Sequence, residues 1–228
     1  MNEAYNLEKT LNSIASDALE VIVSDGGSHD ETIEVAYKWG AKILRGTAGK
    51  ATQMNTAASL AQGEILLFLH ADTKLPSGYS LAITDILAKE KVVGGAFRLG
   101  IDGDGLGFRL IEIGANLRSI LFSAPYGDQA IFIRRDFFLT IGGYTDIPIM
   151  EDFDLIRRLR RHGHVKTANK SVCTSNRRWS KHGIIKTTAW NWIIVGAWIL
   201  GVHPTRLAAW YRLELNRPSS TNDSKGHG

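Results

Sequence analysis

The sequence predicts an α/β fold, with a mostly parallel, Rossmann-like sheet between two helical layers and further helices at the C-terminal end. Three observations predict it. Residues 65–69, Ile-Leu-Leu-Phe-Leu, form an unbroken apolar run. A strand with no polar alternation is covered on both faces, as in a parallel sheet with helices on either side. Strand-like and helix-like segments then alternate with short Gly- and Asp-rich turns between them. Finally, acidic residues stand where predicted strands end, the edge at which open α/β sheets place their ligands.

The elements follow in order. Leu7, Leu11 and Ile14 share one face of a first helix, which Asn2 is placed to cap. A short strand, Leu19–Ser24, runs into Asp25-Gly26-Gly27-Ser28. Asp30 caps a helix to about Trp39, closed by Gly40. A strand at Ala41–Arg45, a loop with Gly46 and Gly49, and a helix at Lys50–Gln62 precede the apolar run, which is read as the central strand. Tyr79–Lys89 is a helix. Val92–Ile101 is a strand whose Gly94-Gly95 implies close approach of other backbone. Leu106–Leu121 is a helix, Ala130–Ile133 a strand and Asp136–Ile141 a short helix. Glu151–Gly163 is a charged amphipathic helix and Val165–Thr174 a strand. Two final helices, about Thr187–Gly201 and Thr205–Asn216, are divided by His203-Pro204. The polar tail from Arg217 is expected to be disordered. The domain expectation is therefore 1–186 for the α/β part, 187–216 for a helical extension of it, and 217–228 for the tail.

Composition narrows the function classes. Of the 228 residues 44% are hydrophobic and 22% charged, an ordinary globular balance. The net charge of +4, concentrated in Arg157–Arg161 and Lys166–Lys186, suits an anionic small ligand or membrane surface and no nucleic-acid module. A lone cysteine, Cys173, makes no intrachain disulfide and fits a reducing, cytoplasmic setting. No run approaches the roughly 18 apolar residues of a spanning helix. The Trp-rich stretch Ala189–Val202 suits a core helix or an interfacial one at the inner face of a membrane.

The chemistry-bearing residues lie near strand and helix ends. His70 and Asp72 close the apolar run, and strand alternation would point them the same way, toward a divalent metal. Asp25, followed by two glycines, suits a ribose or base contact, or simply a turn. Gly46-Thr-Ala-Gly-Lys50 lacks the P-loop spacing yet forms an anion seat at a helix start. Glu151-Asp152 opens a helix, where acids complement the dipole. One of the pair should face the site and the other elsewhere. Asn176-Arg177-Arg178-Trp179 offers guanidinium groups for a diphosphate, or a solvated basic loop. Asp102 and Asp104 read as turn residues.

In this order the pieces resemble a family 2 glycosyltransferase of the GT-A fold. They are Asn2-Glu3, Asp25-Gly-Gly-Ser28 with Asp30, Gly49-Lys50 with Asn55, His70-Ala-Asp72, Glu151-Asp152 and Arg178-Trp179. The wording Gln53-Met-Asn55, Leu67-Phe-Leu-His-Ala-Asp-Thr73, Gly127-Asp-Gln129 and Met150-Glu-Asp152 is similar to the bacterial subgroup known as radical-SAM/selenodomain-associated transferase 2. The resemblance spans residues 2 to about 213. It implies inverting transfer of a sugar from a nucleotide-diphosphate sugar to an acceptor hydroxyl on a glycan, lipid or small molecule. It implies Glu3 and Asp25 in the nucleoside pocket, Lys50 on the nucleotide, and Arg178 and Trp179 near the diphosphate. It also implies Mg²⁺ or Mn²⁺ at Asp72, and Asp152 as catalytic base.

The sequence departs from the family pattern twice. His70 stands where the first Asp of Asp-x-Asp is usual, which would tilt the metal toward Mn²⁺. An apolar strand is usual before Asn-Glu, whereas here Met1 directly precedes Asn2-Glu3. The first strand is therefore expected to be missing from 1–228, leaving unpaired backbone and a chain prone to aggregate. Two other readings compete. A sugar-1-phosphate nucleotidyltransferase would want a Gly- and Arg-rich loop after its first strand. A degenerate nucleotide-binding fragment would bind without turnover.

Overall fold

The computed structural model describes residues 1–14, 17–46 and 49–215. They fall in two units, Met1–Ser175 and the described part of Asn176–Gly228. In the first unit the order is α1 (Ala4–Ile14), β1 (Ile22–Asp25), α2 (Thr32–Lys38), β2 (Lys42–Arg45), α3 (Lys50–Leu60), β3 (Ile65–Phe68), β4 (Thr73–Lys74), α4 (Tyr79–Leu87), β5 (Val92–Asp102), α5 (Leu106–Phe122), a 3₁₀ turn (Gly127–Gln129), β6 (Ile131–Arg134), α6 (Arg135–Thr140), α7 (Glu151–Leu159) and β7 (His164–Ser175).

The sheet is mixed, which corrects the expectation of a mostly parallel one. Five strands run β3-β6-β5-β7-β4, and β1-β2 form a separate pair. β1/β2 and β5/β7 are parallel, whereas β3/β6, β5/β6 and β4/β7 are antiparallel. A strand covered on both faces has the same apolar run in either direction, so periodicity does not report direction. β3 is indeed covered on both faces. Ile65, Leu67 and Leu69 pack on the core beneath α1 and α4, and Leu66 and Phe68 on the core beneath α3, α6 and α7. It is nonetheless an edge strand among the described residues, not a central one. β6 divides its side chains the same way, with Phe132 on one side and Ile131 and Ile133 on the other. The Gly94-Gly95 expectation holds: a Cβ at Gly95 would lie 2.5 Å from the Phe132 ring and 2.7 Å from the Lys166 carbonyl.

β1 and β3 face one another across a cavity of about 730 Å³, lined by Val21–Ser24 on one side and Ile65–Leu69 on the other. Their amino ends are tied together. The Glu20 carboxylate accepts from the backbone N–H groups of Gln62 and Gly63, just before β3, so the two strands set out from the same end. At their carboxyl end lies Met1-Asn2-Glu3. Asn2 N–H donates to Ser28 Oγ at 2.9 Å, and Asn2 Oδ1 accepts from His29 N–H at 2.8 Å. Asp30, not Asn2, caps α1 by accepting from Ala4 N–H at 3.1 Å. The cap crosses 26 residues of chain, beyond what a local pattern shows.

In the second unit Asn176–Trp179, for which a solvated basic loop was one of the two expectations, instead opens α8 (Arg177–His182). α9 (Ile184–Ile199) and α10 (Pro204–Leu215) follow. Arg178 donates to Asn191 Oδ1 at 3.0 Å and lies over the Tyr211 ring, and Lys186 pairs with Glu214 at 2.7 Å. Among the described residues no helix is long and apolar enough to cross a membrane. The tail expected from Arg217 to be disordered lies outside the described residues, as do Thr47 and Ala48 of the Gly46–Lys50 loop.

Candidate active site

The cavity between β1 and β3 gathers most of the residues singled out in the sequence. Glu3, Lys50, His70, Asp72 and Asp152 line it, together with Gly127 and Tyr144. They come from the start of α1, the first residue of α3, the turn after β3, and the first turn of α7.

The Asp152 corner is built from distant pieces of chain. Asp152 Oδ2 accepts from Gly127 N–H at 2.7 Å, and Oδ1 from its neighbour Phe153 N–H at 2.7 Å. Gly127 leaves little room for a side chain, because a Cβ there would lie 3.1 Å from Asp152 Oδ2 and 3.3 Å from His70 Nε2. The carboxylate and the imidazole are thus brought to one spot. Met150, which precedes the acids, is held at φ 70°, and Ala130, just after the 3₁₀ turn, at φ 52°. Each left-handed non-glycine residue costs about 1–2 kcal/mol. Such strain persists where surrounding contacts over-determine it, and it clusters at functional sites.

Three acids in one helical turn take three different partners. Glu151, buried, pairs with Lys50 at 3.1 Å. Asp152 faces the cavity. Asp154, also buried, accepts from Thr145 Oγ1 at 2.6 Å and Arg158 Nε at 2.9 Å, and Arg158 in turn donates to the carbonyls of Ile141 and Gly143. Burial works against the Asp154 charge, but these donors outweigh it and hold the carboxyl below its usual range. Desolvation also works against the Lys50 charge, yet Glu151 and Asp152 outweigh it and raise its pKa. Burial first, then the Lys50 charge, push His70 down to about 3 against the pull of Asp152. His70 is therefore a neutral imidazole near pH 7.

Strand alternation does not carry the His70–Asp72 pairing. β3 ends at Phe68, and His70–Asp72 form a turn closed by Thr73 N–H to the His70 carbonyl at 3.2 Å. The His70 ring lies against Gly127, beside Asp152. Asp25 is engaged in its own turn. Its Oδ2 accepts from the N–H groups of Gly27 and Ser28, at 2.9 and 2.8 Å, and its Oδ1 from Ser28 Oγ. It is not among the residues that line the cavity. Burial opposes its charge, and these donors more than offset that, so its pKa is lowered. Glu3 accepts from Asn6 Nδ2 at 2.7 Å. Arg178 and Trp179 belong to the second unit.

Sequence reasoning gave no role to Gly127, Gln129 or the Lys50–Glu151 pair. Gln129 is fully buried. Its Oε1 accepts from Arg118, Ser119 Oγ and Tyr126 N–H, and its Nε2 donates to the Phe97 carbonyl at 2.9 Å. It pins the turn that presents Gly127. The signal was the triplet Gly127-Asp128-Gln129 just ahead of an apolar strand, which entered the family resemblance without a role for any of its residues.

Residues 1–144 match the model of glycosyl transferase family 2. The chain belongs to that family. Over 166 residues it is 34% identical to a PGL/p-HBAD biosynthesis glycosyltransferase of Mycobacterium tuberculosis, covering 68% of this chain and 64% of that protein. The chain thus spans a little under two thirds of that relative. A 4,4'-diaponeurosporenoate glycosyltransferase of Staphylococcus haemolyticus is 33% identical over 104 residues, 41% of this chain and 28% of that protein. The family's fold recurs in solved structures. A mannosyltransferase of Pyrobaculum calidifontis in complex with GDP-Man and Mn²⁺ superposes with a TM-score of 0.63 at 20% identity, over 93% of this chain and 66% of that one. Glucosyl-3-phosphoglycerate synthase of M. tuberculosis, with Mn²⁺, UDP-glucose and phosphoglyceric acid, gives 0.58 at 19% identity, over 83% and 74%.

Proposed function

We propose that this family 2 chain transfers a sugar, with inversion, from a nucleotide-diphosphate sugar to an acceptor hydroxyl, with Asp152 as general base. One observation carries the reading. A carboxylate fixed by the Gly127 N–H stands on the same cavity as Lys50, His70, Asp72 and Glu3. An acceptor hydroxyl is a poor nucleophile near pH 7, and a carboxylate within hydrogen-bond reach takes its proton as the new bond forms. Single displacement needs one such base and no enzyme nucleophile. Lys50, kept charged by Glu151 and Asp152, offsets the negative charge of the diphosphate. Glu3 serves the nucleoside, and Asp25 shapes the loop beside it. Arg178 and Trp179 are assigned to the donor by the family pattern alone. The complexes of the structural neighbours with GDP-Man or UDP-glucose support a sugar-nucleotide donor.

Mg²⁺ or Mn²⁺ fits the residues present as an ion that arrives with the donor. Among the described residues no three His, Cys, Asp or Glu side chains gather into a ready-made metal site. Asp72 on the cavity wall, with the neutral His70 as a second donor, would hold the ion and would leave its other positions to donor and solvent oxygens. Bound there, the ion would supply Lewis-acid stabilisation of the departing diphosphate. Calorimetric titration with UDP and GDP, with and without Mn²⁺, tests this. Metal-dependent binding that disappears in Asp72→Asn is expected. Equal binding by that variant would remove Asp72 from the site.

The strand expected ahead of Asn2 is also kept as a proposal. Only the apolar length of the slot, between Val21–Ser24 and Ile65–Leu69, would seat an extended apolar segment parallel to both strands, with the polar end at Glu3, Lys50, His70, Asp72 and Asp152 left open to the donor. Two facing strand edges and a common starting end at Glu20 support it. A chain extended upstream by an apolar strand should melt higher and aggregate less than 1–228, and an unchanged melting temperature would refute the idea. A cytoplasmic setting with peripheral membrane contact is likewise proposed, through Trp192, Ile193 and Ile199 exposed on α9, Leu200 just after it, and Trp210 and Leu213 on α10. Failure to float with anionic vesicles would end that assignment.

A further inference from the structure

α5 is turned inside out. Its polar side chains face the protein. Asn116 Oδ1 accepts from Leu99 N–H at 2.7 Å while its Nδ2 donates to the Leu99 carbonyl at 3.0 Å, and Glu112 Oε1 accepts from Ile101 N–H at 2.6 Å. The reason lies in the sheet. β6 pairs with β5 only at Gly94 and Gly95, so the β5 edge beyond needs other partners, and α5 supplies them. Phe108, Ala115 and Ser119 are buried on the same side.

The opposite face is apolar and bare. Leu106, Leu110, Ile113, Leu117, Ile120 and Leu121 are 48% to 83% exposed. At 100° per residue all six fall within an arc of about 100°. The first five are spaced four, three, four and three residues apart, the alternation of a seam between paired helices. Together they present roughly 700 Å², close to the ~800 Å² that each partner contributes to a standard protein interface. Monomeric proteins seldom leave an apolar patch of that size uncovered.

We propose that this face of α5 is a self-association surface, on which a second copy of the chain packs its own α5 about a twofold axis. The spacing and the area argue for a helix of the same kind. The charges argue against a bilayer. A helix that lies on lipid carries available Lys or Arg along its flanks. α5 has no Lys, and both of its arginines are engaged. Arg109 bonds Glu112 Oε2 at 2.8 Å and the carbonyls of Ile101 and Gly103. Arg118 bonds the Ala124 carbonyl and Gln129 Oε1, and its guanidinium stacks 3.4 Å above the Tyr126 ring. The surface lies apart from the slot between β1 and β3, and the inference does not depend on the sugar-transfer reading.

Sedimentation equilibrium and disulfide trapping test it. The wild-type chain should sediment at twice its 25.1 kDa. Leu110→Glu combined with Leu117→Glu should sediment at the monomer mass with an unchanged circular dichroism spectrum and melting temperature. Since both positions are exposed, folding is not at risk. Ile113→Cys, at the middle of the stripe, should form a covalent dimer on mild oxidation, which the wild type with Cys173 alone should not. Three results would overturn the proposal. One is a wild-type monomer at about 100 µM, well above the range of specific interfaces of this size. Another is a dimer unaffected by the two glutamates. The last is a monomer whose binding to anionic vesicles the same glutamates abolish.

Discussion

Asp25 and Asp152 were singled out by the same sign, a carboxylate at the end of an element beside a predicted ligand edge. The structure separates them. Asp25 is held by Gly27 and Ser28, two and three residues on, and both of its oxygens serve its own turn. Asp152 is held by Gly127, 25 residues away, and by a helix start whose preceding residue is strained, and it stands on the cavity wall. A locally satisfied acid shapes a loop, whereas an acid positioned by remote chain is presented to something else.

That contrast is open to attack, and the sharpest test is Asp152→Asn. The amide keeps the shape and still accepts from Gly127 N–H, but it no longer takes a proton. Turnover should fall by about 100- to 10,000-fold, while UDP or GDP affinity and melting temperature hold. Unchanged turnover would dismiss Asp152 as the base. Gly127→Ala comes next. Its Cβ, 3.1 Å from Asp152 Oδ2 and 3.3 Å from His70 Nε2, must displace one of them by a few tenths of an ångström. A loss in kcat on the order of tenfold is expected, with little change in nucleotide affinity. A normal kcat would mean that the corner is not poised.

Asp25→Asn should behave differently, lowering stability by about 1–2 kcal/mol through its charge-assisted bonds and changing kcat little. A large kcat effect at full stability would place Asp25 in the chemistry after all. The mildest test is acid. Asp25 and Asp154 both have folded pKa values below the unfolded carboxylate value of about 3.9. Their contribution is fully present above that value and is lost as pH falls through the lowered ones. Melting temperature should be flat from about pH 5 to 7 and decline below about pH 4. Asp25→Asn should flatten the decline, and an undiminished slope would show that this carboxyl is not held low.

Much of the fold was legible because it rests on local periodicity. The apolar run at 65–69 marked a strand covered on both faces, and residues 106–121 marked a helix. Strand direction was not legible, nor was the edge position of β3, because both depend on which strand comes to lie alongside. The candidate site was legible as separate residues: Glu3, Lys50, His70, Asp72 and Asp152 were named from spacing, type and family resemblance. The reason for grouping His70 with Asp72 was misread, because alternation stops where the strand ends at Phe68 and a turn carries both residues. The roles of Gly127 and Gln129 were unreadable, since a glycine's lack of a side chain matters only once Asp152 and His70 press against it.

The sequence by itself determined the element types, the family and the acids on offer. Local backbone preference and the burial of apolar runs act over a few residues, so they are written in order along the chain. Tertiary structure alone decided which acid caps a turn, which pairs with Lys50 and which faces the cavity, and it alone turned the apolar side of α5 outward. Hydrogen bonds and charge pairs depend on distance in space, and the groups that settle these roles lie up to about a hundred residues apart in the chain.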